Sequence, residues 1–360
     1  MKTIFGLLVA TSVIVCCSNN NSTTDGGSDA ALGDSGDPTK ACSDEAAAVC
    51  ALRDSCSPNY NNALVYGNTA TCQTRVTTTC VNALAAKGTG NNAAHVEACA
   101  AAYPGENCAD FFDNNPTAAC VPPAGTLANG AACGASAQCT STYCAIGEYA
   151  VCGTCANLPA VGDACQVQAD CGRDLACATP AATGDGGAPG GKCAAWVAAS
   201  GSCLTGYSPC QSGYSCVGDD EATMAHGTCQ AAGSTVGAAC DGSRKTMAGC
   251  DAEMGLACIP TAKGSAVGTC QNISLVGAGA TCGDIGAAPI TGVAACEASG
   301  LCKKAAPTDT SGTCVAAAAD NAACDNDPSK GPPCLAPAKC VVTGNGTAGT
   351  CTVPNAATCM

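Results

Sequence analysis

The chain has 360 residues, of which 36 are cysteine and 2 are histidine, and its formal net charge is −14. Nucleic-acid binding depends on clustered lysine and arginine, so this charge argues against a nucleic-acid partner. Aromatic residues make up only 3% of the chain, which leaves too little large apolar surface for a conventional core. Small units held by disulfides, in an oxidising compartment, are therefore expected.

Residues 1–16 are predicted to form a lipoprotein signal peptide. Lys2 precedes an apolar run from Ile4 to Val15 that is too short to span a membrane. Cys16, Cys17 and a polar tail follow, which resembles a bacterial lipoprotein signal with a lipid-accepting cysteine. Cys17 is the preferred acceptor, because processing at Cys16 would place the bulky Val15 beside the cut. Cys16 is the alternative acceptor. The chain departs from the lipoprotein pattern, which prefers Gly, Ala or Ser where Cys16 stands, and a simple signal peptide with an accidental cysteine pair is another alternative.

The lipidated cysteine and a flexible tether are assigned to residues 17–41, because Gly, Ser, Asn, Asp and Thr dominate this stretch. Removing Cys16 and Cys17 leaves 36 − 2 = 34 cysteines, an even number that can be fully paired. A membrane, reached through the lipid anchor, is the predicted partner, and no protein partner is identified. The expected location is the cell envelope, at an outer membrane facing outward, or the extracellular space.

An eight-cysteine helical domain is predicted at 42–121. Three alanine-rich segments favour helices: SDEAAAVCALRDSC with Ser43 as N-cap, TATCQTRVTTTCVNALAAKG, and NNAAHVEACAAAY, which stops before Pro104. Eight cysteines allow four internal bridges whose connectivity the spacing leaves open. Phe111 and Phe112 are expected to fill the core of this domain.

Six cysteine repeats follow, each closing on a Gly-x-Cys tripeptide. Their bounds are 129–155, 161–193, 199–229, 236–270, 278–314 and 320–351, with a C-terminal tail at 352–360. The first repeat contributes Cys133, Cys139, Cys144 and Cys155. The structural disulfide candidates of the other five repeats are Cys165, Cys171, Cys177, Cys193, Cys203, Cys210, Cys216, Cys229, Cys240, Cys250, Cys258, Cys270, Cys282, Cys296, Cys302, Cys314, Cys324, Cys334, Cys340 and Cys351.

Each repeat is predicted to be a two-stranded hairpin with a cystine-held approach loop. Four cysteines allow three pairings, and we predict the first with the third and the second with the fourth. Neighbouring units are expected to pack mainly on each other as a rod. Cys152 and Cys359 lie outside this pattern and pair either with each other or with the helical domain. The predicted fold class is therefore small and disulfide-rich: a cystine-stapled α-helical domain followed by an elongated array of short β-hairpin cystine repeats.

The cysteine pattern of residues 42–351 resembles the Dickkopf-type cysteine-rich repeats found in predicted surface lipoproteins of gliding bacteria. The start CGASAQCTSTYC, the close CGTC and the run CQVQADCGRDLAC carry the resemblance. It implies an eight-cysteine domain ahead of the repeats and a surface location. Related animal repeats occur in secreted signalling antagonists, but this chain lacks their basic and aromatic partner-binding residues, so antagonism is not implied.

The chain offers few candidates for catalysis or metal binding. Cys152 and Cys155 have the CxxC spacing of redox centres and zinc ribbons, but an exported cystine array favours structural disulfides. His95, in a predicted helix, and His226, in a repeat loop, have no companion motif and are interpreted as structural residues. No catalytic residue, metal ligand or cofactor is assigned.

Two acidic loops faintly resemble calcium loops. One contains Asp325, Asp327, Ser329 and Gly331, and the other is the run from Asp219 to Glu221. Both lack the terminal glutamate and the full set of ligands, so solvated turns are the preferred interpretation.

Three hypotheses about function follow. The preferred one is a non-catalytic, lipid-anchored surface protein whose cystine repeats act as a structural, adhesive or partner-binding rod. A secreted binding or inhibitory module is the second hypothesis. A thiol-disulfide oxidoreductase using Cys152 and Cys155 is the third and least favoured.

Overall fold

The computed structural model describes residues 36–179, 190–306, 308–327, 330–344 and 346–359, all within one compact unit, Asp34–Met360. The predicted signal peptide, Cys16, Cys17 and the tether up to residue 35 lie outside the described residues. A helical domain comes first in the described chain, and small β-sheets follow it.

The helical domain contains five α-helices, several of which begin at an Asp or Asn cap. Asp37, Asn68, Asn92 and Asn107 each accept a backbone N–H of the first helical turn through their side chains, which satisfies a donor that the helix itself cannot. The helices are α1 (Pro38–Cys56), α2 (Asn61–Tyr66), α3 (Thr69–Leu84), α4 (Ala93–Ala102) and α5 (Cys108–Phe112).

The three predicted helices are confirmed as α1, α3 and α4, whereas α2 and α5 were not predicted. The predicted start of α1 was wrong, because Pro38 occupies the first helical position and Asp37, not Ser43, is the cap. Ser43 lies inside the helix, and the last four residues assigned to the tether, 38–41, are helical.

Disulfides staple the helices together. Two of them join α1 to α3, and their cysteines are eight residues apart in each helix (50 − 42 = 8 and 80 − 72 = 8), so the two helices run antiparallel like a ladder with two rungs. The remaining two join α1 to α5 and α4 to the 3-10 turn Ala118–Cys120. The four bridges are Cys42–Cys80, Cys50–Cys72, Cys56–Cys108 and Cys99–Cys120.

The prediction that Phe111 and Phe112 fill the core was wrong. Both rings are half-buried and meet edge to face, with centroids 5.2 Å apart. The Arg53 guanidinium lies 5.2 Å from the centroid of Phe111, a cation–π contact at the edge of the domain. The core is instead made of cystines, alanines and a few aliphatic side chains such as Leu52 and Val96.

Each repeat forms a small antiparallel sheet of three strands, and two more strands extend the sheet of repeat 5, the first of them from the preceding segment and paired in parallel. The strand that carries the fourth cysteine is central, between the strands of the first and third cysteines. The strands are β1 (Ala132–Cys133), β2 (Cys144–Ala145), β3 (Gly153–Cys155), β4 (Ala164–Cys165), β5 (Leu175–Ala178), β6 (Gly191–Ala195), β7 (Ser202–Cys203), β8 (Tyr214–Val217), β9 (Gly227–Ala231), β10 (Ala239–Asp241), β11 (Leu256–Pro260), β12 (Val267–Asn272), β13 (Ser274–Val276), β14 (Thr281–Ile285), β15 (Gly292–Cys296), β16 (Leu301–Lys303), β17 (Ser311–Val315), β18 (Ala323–Asp325), β19 (Lys339–Val342) and β20 (Ala348–Thr352).

The predicted hairpin of each repeat is present, but the segment expected to be an approach loop is a third strand. In repeat 4, β10 pairs with β12 on the side opposite to β11, with Cys240 opposite Gly268. The predicted pairing of cysteines, first with third and second with fourth, is confirmed in all six repeats.

A recurrent turn precedes the first cysteine of every repeat. The residue three positions earlier has a positive φ, and its N–H donates to the carbonyl of the fourth cysteine at 2.7 to 2.8 Å. This hydrogen bond ties the entrance of each repeat to its exit. The six turn residues are Gly130, Gly162, Ser200, Gly237, Gly279 and Asn321.

The repeats surround the helical domain and contact it one after another. Each contact joins a side chain of one part to a backbone or side-chain atom of the other. From repeat 1 to the C-terminal segment they are Gln138 Nε2 to Lys87 O (2.9 Å), Asn114 Nδ2 to Gly172 O (2.7 Å), Ser212 Oγ to Asp113 Oδ1 (2.7 Å), Ser57 Oγ to Glu253 O, Ser299 Oγ to Val65 O (2.7 Å), Arg75 to Asp320 (2.8 Å) and Asn82 Nδ2 to Pro354 O (3.2 Å).

The two ends of the array meet. Cys152 of repeat 1 is disulfide-bonded to Cys359, 207 positions away in sequence, with their Cα atoms 5.3 Å apart. Of the two alternatives for these cysteines, pairing with each other is therefore the observed one. Lys339 Nζ of repeat 6 also donates to Gly147 O of repeat 1 at 3.2 Å. The fold class of helical domain and hairpin repeats is confirmed, but the expected extension into a rod is corrected to a closed ring, because each unit packs on the helices.

Candidate functional site

All cysteines among the described residues are bonded. The 17 disulfides use 34 cysteines, every one from Cys42 to Cys359. Three sulfur atoms come within 4.8 Å of one another in several repeats, for example those of Cys133, Cys139 and Cys144. Because each of these sulfurs belongs to a disulfide, they are not thiolates that bind metal.

The CxxC pair is divided between two bridges. Cys152 bonds Cys359 and Cys155 bonds Cys139. A redox centre of this spacing needs both sulfurs in one reversible disulfide, so the geometry does not support the oxidoreductase hypothesis.

The two histidines lie far apart in sequence and in different surroundings. His95, in α4, is half-buried, with Nδ1 at 2.8 Å from Asn91 Oδ1 and Nε2 at 3.0 Å from Val121 O. Both ring nitrogens are thus occupied by contacts that fasten the helix to the following segment. His226 is exposed in the loop before β9.

The two acidic loops use their carboxylates as turn caps. Asp325 Oδ1 accepts the N–H of Asp327 at 2.9 Å, and Asp327 forms an ion pair with Lys330 at 2.8 Å. Ser329 lies outside the described residues, and Gly331 packs against Asp325. In the other loop, Asp220 Oδ1 accepts the N–H of Ala222 at 2.9 Å, whereas Asp219 accepts the N–H of Thr205, 14 positions away, at 2.7 Å. Carboxylates engaged in this way fit the predicted solvated turns.

Asp113, at the end of α5, is a buried polar residue that the sequence did not single out. Its carboxylate accepts both the N–H (3.0 Å) and the Oγ–H (2.7 Å) of Ser212 in repeat 3. Its backbone carbonyl accepts the indole N–H of Trp196 at 3.1 Å. Burial raises the pKa of this carboxyl, although the hydrogen bonds from Ser212 oppose the shift. Asp113 therefore fastens the ring to the helices.

A cavity of about 410 Å³ lies between α1 and α3. Glu45, Val49 and Arg53 line it from α1 at intervals of four residues, the spacing that places side chains on one helical face. Val76 and Ala83 face them from α3. The two faces that carry the helix-joining disulfides thus also enclose a space with apolar walls and few charges.

The ring closes over this cavity, which we call the seam cavity. Gly134 and Ala135 of repeat 1 and Pro354 and Ala356 of the C-terminal segment also line it. A Cβ at Gly134 would lie only 2.5 Å from the Cα of Ala356, so the two ends of the array pack tightly beside it. The Cys152–Cys359 disulfide joins the same two segments.

Among the described residues, the large exposed apolar side chains all lie in the cysteine repeats or in the segments that join consecutive repeats. They are Tyr149, Leu158, Val161, Tyr207, Met224, Val236 and Val267. Such side chains are common in surfaces that contact partners, although single exposed residues are also ordinary.

No protein-family model, curated protein or solved structure matches this chain. Among the described residues, no helix has both the length and the apolar character needed to cross a membrane. The fold and the fully bonded cysteines define the class: a cysteine-rich, disulfide-bonded repeat protein of a non-cytoplasmic compartment.

Proposed function

We propose that this protein is a non-catalytic, lipid-anchored surface protein of the bacterial envelope, in which the cystine ring acts as a structural, adhesive or partner-binding element. The observation that carries the proposal is that the 34 cysteines from Cys42 onward pair completely with one another, so none of their disulfides involves Cys16 or Cys17. Cys17 follows an apolar signal and precedes a polar tether, as a lipid acceptor does.

A binding role is favoured over a purely structural one by the exposed side chains of the array. Tyr149, Tyr207 and Met224 project from repeats whose backbones are fixed by two disulfides each. Apolar side chains on a rigid backbone lose little conformational entropy when they contact a partner. The chain's charge of −14 favours a partner other than a nucleic acid.

Lipid attachment is tested by growing bacteria that express the protein with radioactive palmitate. We expect label in the wild-type protein and in Cys16→Ser, and loss of label with release into the medium in Cys17→Ser. Cys16→Ser is the matched control, because it changes the neighbouring cysteine by the same chemistry. An unlabelled, freely secreted wild-type protein would contradict anchoring and favour the secreted binding module instead.

Surface display is tested on the same cells by adding a protease that cannot cross the envelope. The tether is the expected cleavage site, since it is rich in small polar residues and precedes a disulfide-stapled domain. We expect release of a fragment beginning shortly before α1. Complete protection of intact cells, together with cleavage after lysis, would contradict an outward-facing location.

A further inference from the structure

The seam cavity contains a carboxylate without a partner. Glu45 is half-buried and forms no hydrogen bond or ion pair within the described part of the chain. Burial raises its pKa to about 7, because removal from water disfavours the charged form. A carboxylate in such a place is ready to accept a hydrogen-bond donor, and a positively charged donor would stabilise its ionised form most.

The charged neighbour on the same helix is held by other groups. Arg53 donates from Nη1 to Asn61 Oδ1 at 2.7 Å, and its guanidinium lies 5.8 Å from the Tyr66 ring and 5.2 Å from the Phe111 ring. Among the described residues, the guanidinium forms no ion pair with Glu45. Its Nε–H is buried without an acceptor, and no ligand atom is assigned to it in the site proposed below.

Tyr103 adds a second oxygen to the cavity. It follows α4, in the 3-10 turn Tyr103–Gly105, and its hydroxyl makes no hydrogen bond among the described residues. Burial raises its pKa, the nearby carboxylates of Glu45 and Glu106 act in the same direction, and the Arg53 guanidinium opposes the shift. The phenol is therefore neutral at physiological pH and can both donate and accept a hydrogen bond.

The remaining lining is uncharged. α3 contributes Val76, Thr79 and Ala83, Asn91 lies just before α4, and the ends of the array contribute Ala135 and Pro354. Within the described part of the chain, the residues that line the cavity include no lysine or histidine. A space of about 410 Å³ with apolar walls and a few convergent polar groups has the size and character of small-molecule sites. The chain's net charge of −14 also favours a cation.

We propose that the seam cavity binds a small organic cation, namely a primary ammonium group on a compact apolar body. The ammonium group donates to the Glu45 carboxylate and the Tyr103 hydroxyl oxygen, and the apolar body packs between Val49 of α1 and Val76 and Ala83 of α3. This site goes beyond the proposed surface role and does not depend on lipid attachment, so either proposal can fail without the other.

The probe is phenethylamine, titrated by calorimetry into the full chain after confirmation that it contains no free thiols. We expect saturable binding of one molecule per chain, weaker by at least about tenfold in Glu45→Gln because a charge-assisted hydrogen bond is lost. The matched control is Asp44→Asn, which removes the same charge from the neighbouring residue of α1, where Asp44 faces Lys40. This control is expected to change the affinity by less than about twofold, because exposed charges are screened.

Two further measurements keep the proposal falsifiable if Glu45→Gln does not fold. Affinity for phenethylamine should rise by about tenfold from pH 6 to pH 8, as Glu45 ionises and the amine stays protonated. Phenethyl alcohol, of the same shape without the charge, should bind far more weakly. Absence of saturable binding, equal affinity for the alcohol, or unchanged affinity in Glu45→Gln would overturn the proposal.

Discussion

The glycine of the Gly-x-Cys tripeptide that ends each repeat is required because the central strand packs closely against the backbone of a neighbouring strand. It lies on the central strand directly opposite the first cysteine of its repeat, as Gly268 lies opposite Cys240. On the other side, a Cβ at Gly268 would fall 1.9 Å from the carbonyl oxygen of Ile259, and a Cβ at Gly153 would fall 1.9 Å from that of Ala145. A side chain of any size would therefore push the hairpin strands apart.

Substitution of this glycine is expected to destabilise one repeat. Gly268→Ala should lower the free energy of unfolding by about 1 to 3 kcal/mol, the usual cost of overpacking, or prevent formation of Cys250–Cys270. Gly292→Ala is the matched control, because Gly292 is also in a strand and has no atom within 4 Å of its virtual Cβ. Denaturant unfolding and thiol titration measure both effects. Equal stability of the two variants would show that the close approach is not required.

Some features of single residues could be predicted from the sequence, and others could not. The Gly-x-Cys tripeptide at the end of each repeat could be recognised, because glycine stands two residues before the fourth cysteine in all six repeats. The positive-φ turn before the first cysteine was not predicted, because Ser200 and Asn321 replace glycine in two repeats. The burial of Glu45 could not be predicted from the sequence either. It depends on residues distant in sequence, which exclude water from the carboxylate and form no ion pair with it.

Among the elements, the helices were predicted well and the strands less well. Alanine-rich segments identify α1, α3 and α4, although the cap predicted for α1 was wrong. The equal spacing of Cys42 and Cys50 with Cys72 and Cys80 is a sequence signal for two helices joined by two bridges. Strands of two residues such as β1 show no alternating pattern, so the sequence predicts a loop where each repeat has its third strand. Contacts such as that between Asp113 and Ser212, 99 positions apart, leave no local signal.

The attachment of repeat 3 to the helices is expected to depend on Asp113. Asp113→Ala leaves the N–H and hydroxyl of Ser212 without their acceptor and should lower the free energy of unfolding by about 2 kcal/mol. Asp113→Asn retains one acceptor oxygen and should cost less than half as much. Trp196, the single tryptophan, reports the change by fluorescence because its indole N–H donates to Asp113 O. If both variants unfold like the wild type, Asp113 does not fasten the ring.

For the whole molecule, the closed ring follows from tertiary contacts that no pattern of repeats predicts. A rod is the expected outcome when each unit contacts only its neighbours. Here the helical domain offers each repeat a surface, from Lys87 for repeat 1 to Arg75 for repeat 6. The extra cysteines, Cys152 and Cys359, were the visible hint of closure, and the sequence left their pairing open.

Disulfide mapping tests the closed ring most directly. The protein is alkylated without reduction, digested, and its linked peptides are identified by mass spectrometry. We predict a peptide pair joining Cys152 to Cys359, the pairing of first with third and second with fourth cysteines in every repeat, and no alkylated cysteine from Cys42 onward. A Cys152–Cys155 link, or free thiols at Cys152 and Cys359, would contradict the ring.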